Sequence, residues 1–300
     1  MSTAIALAAT REPLLRAGHA FAAPAALLLF LIYIVPVGVL AWLSLTDYEL
    51  GAVRTEFLGL ANFERALADP VFRRSIVNTF AYVAIVLPGG VGLGLLAALL
   101  VHRRIRTRSL YEVIYFLPVT STLIAMATVW QFLLHPRLGP VREITLGLGL
   151  GEVAFLSDPT LVLPSLAAIG IWQLVGFNMI LFLAGLSAIP RDLYEAAALD
   201  GAGGPVDRFL RVTWPLLGPT TMFVTITTSI TAFKVFDTVA VLTQGGPTGA
   251  SEVLLYAIYL EGFQYFRIGY AAALTLIFLA FILVFSVMQA AALDRRVHYG

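Results

Sequence analysis

Residues 77–101 read VNTFAYVAIVLPGGVGLGLLAALLV and contain no Asp, Glu, Lys or Arg. A helix needs about 20 apolar residues to cross the hydrocarbon core of a bilayer. Hydrocarbon offers peptide groups no hydrogen-bond partner, so such a run must satisfy its own backbone, and a helix does this within one segment. Five further runs have the same character, at 21–44, 110–134, 161–185, 215–236 and 268–292. The third carries Glu112 near its start and the fifth carries Lys234 near its end, while the rest are uncharged. Composition agrees: 59% of the residues are hydrophobic and 12% charged, against about 25% charged in a soluble domain. The expected fold class is an all-α integral membrane protein with six transmembrane helices.

Several chemistries are excluded or weakened. The net charge of +1 points to no nucleic-acid partner, and the absence of cysteine removes disulfides, thiolate metal sites and cysteine nucleophiles. His19, His102, His135 and His298 are far apart and carry no metal-ligand spacing. Gly90-x-Gly92-x-Gly94 lies inside an apolar run with no strand before it, so it reads as close helix packing rather than a nucleotide fingerprint. Neither GxSxG nor HExxH occurs, the Walker pattern GxxxxGK[ST] is missing, and the only lysine, Lys234, follows Phe233 in an apolar run. No chain of intramembrane acids serves a proton-driven carrier. The chain is expected to be no enzyme, to hold no metal or cofactor, and to take its energy from a partner.

Arginine placement orients the spans. With a cytoplasmic N-terminus, the inner segments hold eleven arginines (11, 16, 103, 104, 106, 108, 191, 208, 211, 295 and 296) and the outer segments hold seven. The cluster HRRIRTR at 102–108 occupies a very short loop, where the rule is strongest. This gives a cytoplasmic leader at 1–20, a six-span region at 21–292 and a cytoplasmic tail at 293–300. Ala20-Phe21-Ala22 has the small-x-small pattern of a cleavage site, but the first run is too long for a signal peptide and is read as a retained helix. The outer loops fall at 45–76, with a short helix capped by Asn62, at 135–160, and at 237–267. The last turns at Gly245-Gly246-Pro247 and carries an apolar run, Val253 to Phe266, expected to lie back against the membrane helices or to line their outer mouth.

Between the fourth and fifth spans stands the inner stretch 190–213. Pro190 fits the first position of a short helix, Asp192 and Glu195 suit its N-terminal end, and Gly201 suits a left-handed stop. Pro205 opens a second helix, Val206 to Arg211, and Pro215 leads into the next span. A bent pair of small amphipathic helices on a membrane face fits a docking surface. Within the spans, Asn78, Thr79, Gln131 beside Trp130, Gln173 beside Trp172, Asn178 after Phe177, and Thr225 to Thr231 are polar. They either meet a hydroxyl-rich solute or join helices to one another. Lys234 and Asp237 stand three apart, so they either neutralise each other or leave Lys234 to an anionic solute.

At this point the residues carry a resemblance. Glu195-Ala196-Ala197, Asp200-Gly201-Ala202, Phe209, Val212 and Pro215 resemble the EAA loop of permease subunits of binding-protein-dependent ABC importers. FLGLANF (57–63), Asn78-Thr79, YFLPV (115–119), FLAGLSAIP (182–190) and FDTVAVLTQGGP (236–247) are similar to the carbohydrate and glycerol-phosphate branch. The resemblance implies a bacterial cytoplasmic (inner) membrane location and a second homologous permease subunit in the bilayer. It further implies an ABC ATPase dimer carrying ATP and Mg, and an extracytoplasmic solute-binding protein. It assigns ATPase coupling to a cytoplasmic coupling helix with Glu195, Ala196, Ala197, Asp200, Gly201 and Phe209. It places the solute path on the third to fifth spans, with Gln131, Gln173, Asn178, Thr228, Thr231, Lys234 and Val235 as candidates. The solute is expected to be a mono- or oligosaccharide, with glycerol 3-phosphate or its diester as the alternative; a stand-alone carrier or channel and a non-transporting membrane scaffold, assembly or signalling subunit are the rival classes. Ten residues stand between Gly201 and Val212, one more than the family pattern. Gly204 is the extra residue, and it is expected to reset the angle of the second short helix.

Overall fold

The computed structural model describes residues 22–104, 106–201 and 204–294. The leader expected at 1–20, Arg295 and Arg296 in the tail, and Ala202 and Gly203 in the inner stretch lie outside them. The described chain is helical, and its only extended pairing is a single antiparallel bridge between Thr46 and Phe57. It divides into two compact units, one of residues 67–260 and 277–300, the other of 1–66 and 261–276.

The larger unit is built on α3, Pro70–His102. The run at 77–101 lies inside this helix, which starts about two turns earlier. Asp69 sets the start: its carboxylate accepts the Val71 N–H at 2.8 Å, and Pro70 fills a position whose N–H would have no helical partner. α3 packs along α7, Val162–Ala188, which follows the short α6, Pro140–Gly147, and both α3 and α7 meet α10, Gly218–Phe233. The glycines let the backbones approach. A Cβ on Gly94 would stand 2.6 Å from Asn178 Cβ, and one on Gly90 would reach the Asn178 amide and the Thr228 methyl. Gly92 would meet nothing, so the packing reading applies to Gly90 and Gly94 alone. Around this contact Ala97, Ala98, Val101, Met179, Phe182, Leu183, Leu186, Leu217 and Val224 form one buried core.

Two of the expected straight spans are bent. The third is α4, Arg108–Thr120, and α5, Leu123–Leu133, which meet at 102°. Ser121 and Thr122 take extended conformations between them, with ψ of 139° and 131°. At the fifth, α9, Pro205–Leu216, meets α10 at 69°; only Pro215 and Leu216 of α9 belong to the expected span, and its earlier residues to the stretch 190–213. Pro219, at the start of α10, brings no N–H to the ladder. Among the described residues, four helices are long and apolar enough to cross a membrane, namely α1 (Ala22–Ser44), α3, α7 and α12 (Ile268–Asp294). The count rises to six if each bent pair is one span.

In the smaller unit, no residue in the apolar window of α1 is buried. The chain after α1 turns back, with the Leu58 N–H on the Leu45 carbonyl at 2.8 Å. Asn62 is not a cap. It sits inside α2, Ala61–Ala68, and its buried amide donates to the carbonyls of Ser44 and Thr46 at 2.9 and 2.8 Å. Those carbonyls end α1 and start the loop, so Asn62 supplies the donors their own helix cannot.

Candidate coupling loop and solute path

The stretch 190–213 folds as two helices. Pro190 is extended, with φ −60° and ψ 138°, so α8 runs Arg191–Leu199 and begins one residue later than the proline rule placed it. Asp192 lies in its first turn, where a carboxylate complements the helix dipole. Asp200 closes the helix, and Gly201 follows at φ +89°, a conformation that glycine adopts without steric cost. No residue of α8 is buried. Glu195 and Ala196 are exposed, Ala197 is half-buried, and Leu199 is 90% exposed.

The second helix does not stop at Arg211. α9 continues from Pro205 through a π turn, Phe209–Thr213, to Leu216. The physical reason is at Pro215, which cannot donate to the ladder. The Trp214 N–H already bonds five residues back, to the Phe209 carbonyl, so the ladder is offset before the proline arrives. α8 is tied to α9 by the Tyr194 hydroxyl, 3.1 Å from Thr213 Oγ1. Phe209 is half-buried, with its ring 6.0 Å from that of Trp214. Between the two helices and the last turn of α3 lies a groove of about 640 Å³. Its apolar wall includes Leu99, Leu100, Leu186, Val206 and Phe209, and its polar lining comes from His102, Arg103, Tyr194, Arg208 and Thr213.

The candidates for the solute path do not form one cluster. Asn178 and Thr228 are joined to each other, with the Thr228 hydroxyl donating to Asn178 Oδ1 at 3.2 Å, and both are buried. Gln173 is half-buried on α7 and Gln131 is exposed on α5. The two helices meet through an edge-on contact of Trp130 with Trp172 at 5.3 Å. Thr231 is exposed, and its hydroxyl bonds the Thr227 carbonyl at 2.9 Å. Val235 is buried. The Lys234–Asp237 pair is not formed: α10 ends at Phe233, Lys234 is its exposed cap, and three-residue spacing no longer places two side chains on one helical face.

The loop after α10 is tied to α3. Arg74 Nη2 meets Glu252 Oε2 at 2.8 Å. The Asn78 amide donates to the carbonyls of Gly249 and Glu252, each at 2.9 Å, and Thr79 Oγ1 accepts the Leu254 N–H at 2.9 Å. Ser251 bonds the Gly246 carbonyl and Thr243 Oγ1. Gly249, at φ +81°, leaves the space that the Arg74 guanidinium fills. The following helix, α11 (Leu254–Tyr259), lies against α3 as the apolar run there led us to expect. Phe236, Tyr256 and Tyr259 form an aromatic group beside it, with ring centroids 5.2–6.3 Å apart.

Residues 90–299 match the family model described as the binding-protein-dependent transport system inner membrane component. The chain belongs to this family. It is 31% identical to the sn-glycerol-3-phosphate transport system permease protein UgpA of Agrobacterium fabrum, over 93% of this chain and 94% of that one. It is 33% identical to the probable ABC transporter permease protein YurN of Bacillus subtilis, over 90% and 94%. A crystal structure of a bacterial ABC transporter involved in the import of the acidic polysaccharide alginate has a chain of the same fold. That chain superposes with a TM-score of 0.80 at 24% identity, over 95% of this chain and 96% of the other. The protein is thus a multi-pass permease of the inner membrane, a transport subunit of a system that works with a binding protein.

Of the coupling candidates, α8 and its end bring together Glu195, Ala196, Ala197, Asp200 and Gly201, while Phe209 stands across the turn on the groove. Sequence reasoning missed Tyr194, Arg74 and Glu252. Tyr194 could have been found as the one aromatic residue on the helix RDLYEAAAL. Arg74 and Glu252 are 178 positions apart, and no local pattern joins them.

Proposed function

We propose that this permease forms half of the pathway of an ATP-driven importer, beside a second homologous permease subunit and above an ATPase dimer that carries the ATP and Mg. The chain itself hydrolyses nothing. Its termini and the 190–213 loop face the cytoplasm, as the arginine count supports, and the binding protein delivers solute from the other side. The observation that carries this reading is α8: a helix with no buried residue, exposing Glu195, Ala196 and Leu199, on a chain whose loop at 245–254 is closed against its own helices. Such a helix fits a groove on another protein, with Glu195 as the polar contact and the alanines and Gly201 permitting close approach. Closure of the ATPase pair would move α8 and α9 together and alternate access to the path.

The solute is read as a sugar, which the amides and hydroxyls beside Trp130 and Trp172 would suit. Glycerol 3-phosphate or its diester is the second reading. It is favoured by Lys234, which is exposed and not neutralised by Asp237, and by the transport named in the relatives. The test is a reconstituted complex with its ATPase and binding protein. Glu195→Ala is expected to abolish solute-stimulated ATP hydrolysis with the chain still inserted; full stimulation would sink the coupling assignment. Lys234→Ala is expected to lower uptake of glycerol 3-phosphate and not of a neutral disaccharide if the second reading holds, and to change neither if the first does.

A further inference from the structure

We propose that the groove between α3, α8 and α9 is a site for an anionic phospholipid. Its wall and its rim have the two halves of that ligand's chemistry. Leu99, Leu100 and Leu186 come from the last turns of two membrane-crossing helices, at the level where the apolar runs end. Arg103 stands one turn beyond Leu99, and Arg208 faces the same space from α9. No carboxylate lines the groove. An acyl chain laid on the leucines places its headgroup phosphate among cationic groups at the membrane surface, where each arginine attracts negative lipid. The groove's volume of about 640 Å³ takes a headgroup and the first part of a chain. Glu195, Ala196 and Leu199 do not line it, whereas the coupling candidate Phe209 does, so the groove and the exposed face of α8 are different surfaces that meet at Phe209. Tyr194 and Phe209 do line it, so lipid in the groove bears on the packing of α8 against α9.

The inference rests on the cytoplasmic placement of this loop and on its role as the ATPase handle. The experiment uses the assembled complex in detergent, incubated with an equimolar mixture of phosphatidylglycerol and phosphatidylcholine of matched chains, followed by quantification of the retained lipid. Wild type is expected to enrich phosphatidylglycerol. Arg103→Gln is expected to lower that enrichment by about fivefold, the effect of one arginine at a charged surface. Leu100→Trp, which fills the apolar wall, is expected to lower retention of lipid altogether, and the exposed outer-loop control Arg137→Gln is expected to change nothing. Equal retention of the two lipids by wild type, or undiminished enrichment in Arg103→Gln, overturns the proposal. So does an enrichment seen in the permease pair that disappears when the ATPase is added, because the groove is then an ATPase contact. Capture of the ATPase by Glu195→Ala is scored in parallel. Its retention would sink the coupling assignment and leave the lipid result standing.

Discussion

The two loops that flank the fifth span are built in opposite ways. The outer one, at 245–254, is fastened to α3 by an ion pair, by both carbonyl bonds of Asn78 and by the hydroxyl of Thr79. Glu252 and Val253 are buried there. The inner one, at 190–213, exposes Leu199, Val206 and Leu210 to the surroundings and joins α8 to α9 through the Tyr194–Thr213 contact. Apolar residues exposed together on a short helix pair mark a surface that another molecule covers. A loop with its polar groups satisfied within the chain has its shape settled before any partner arrives. The difference teaches which end of this permease has its shape settled by its own contacts and which leaves apolar side chains uncovered.

Substitutions can break that contrast. The largest effect is expected from Glu252→Ala, which leaves Arg74 without its carboxylate in a partly buried place. The loss is about 2 kcal/mol of stability, on the scale of a charge-assisted hydrogen bond. It would be read as a lower unfolding midpoint in detergent and faster proteolysis at 245–250. Next is Asn78→Ala, which abandons two carbonyls and is expected to cost about 1–2 kcal/mol by the same measurements. On the inner side, Tyr194→Phe removes one hydroxyl contact and is expected to cost about 0.5–1 kcal/mol. Smallest is Leu199→Ser, with an effect on the chain's own unfolding within about 0.5 kcal/mol and a clear loss of ATPase capture. If Leu199→Ser destabilised the isolated chain as much as Glu252→Ala, the contrast between a finished and an unfinished loop would be wrong.

The helical membrane architecture was legible because bilayer physics imposes it residue by residue. An uncharged run such as 77–101 has few other ways to satisfy its backbone. The bend at Ser121-Thr122 was not legible, since apolar residues continue on both sides and length alone cannot tell one straight helix from two. Spacing misled where a helix ended early: Lys234 and Asp237 are three apart, but the helix that would have aligned them stops at Phe233. Residue preference misled at Asn62, a good cap by type that instead serves two carbonyls sixteen and eighteen positions away. α8 was visible through its breakers, Pro190 and Gly201. The solute path was hardest to read, because an amide such as Asn178 looks the same in sequence whether it faces a solute or, as here, Thr228.

The π turn at Phe209–Thr213 has a consequence for the phase of the fifth span. Each residue of an α-helix turns the chain by about 100°. A residue added inside the helix ahead of a span would therefore swing everything beyond it by that angle and carry Thr228 off Asn178. A turn closed by the Trp214 N–H on the Phe209 carbonyl takes one residue out of the count. α9 can thus hold one residue more while α10 keeps its heading against α3 and α7, which leaves the length of the 190–213 stretch and the packing of the bundle free to vary separately.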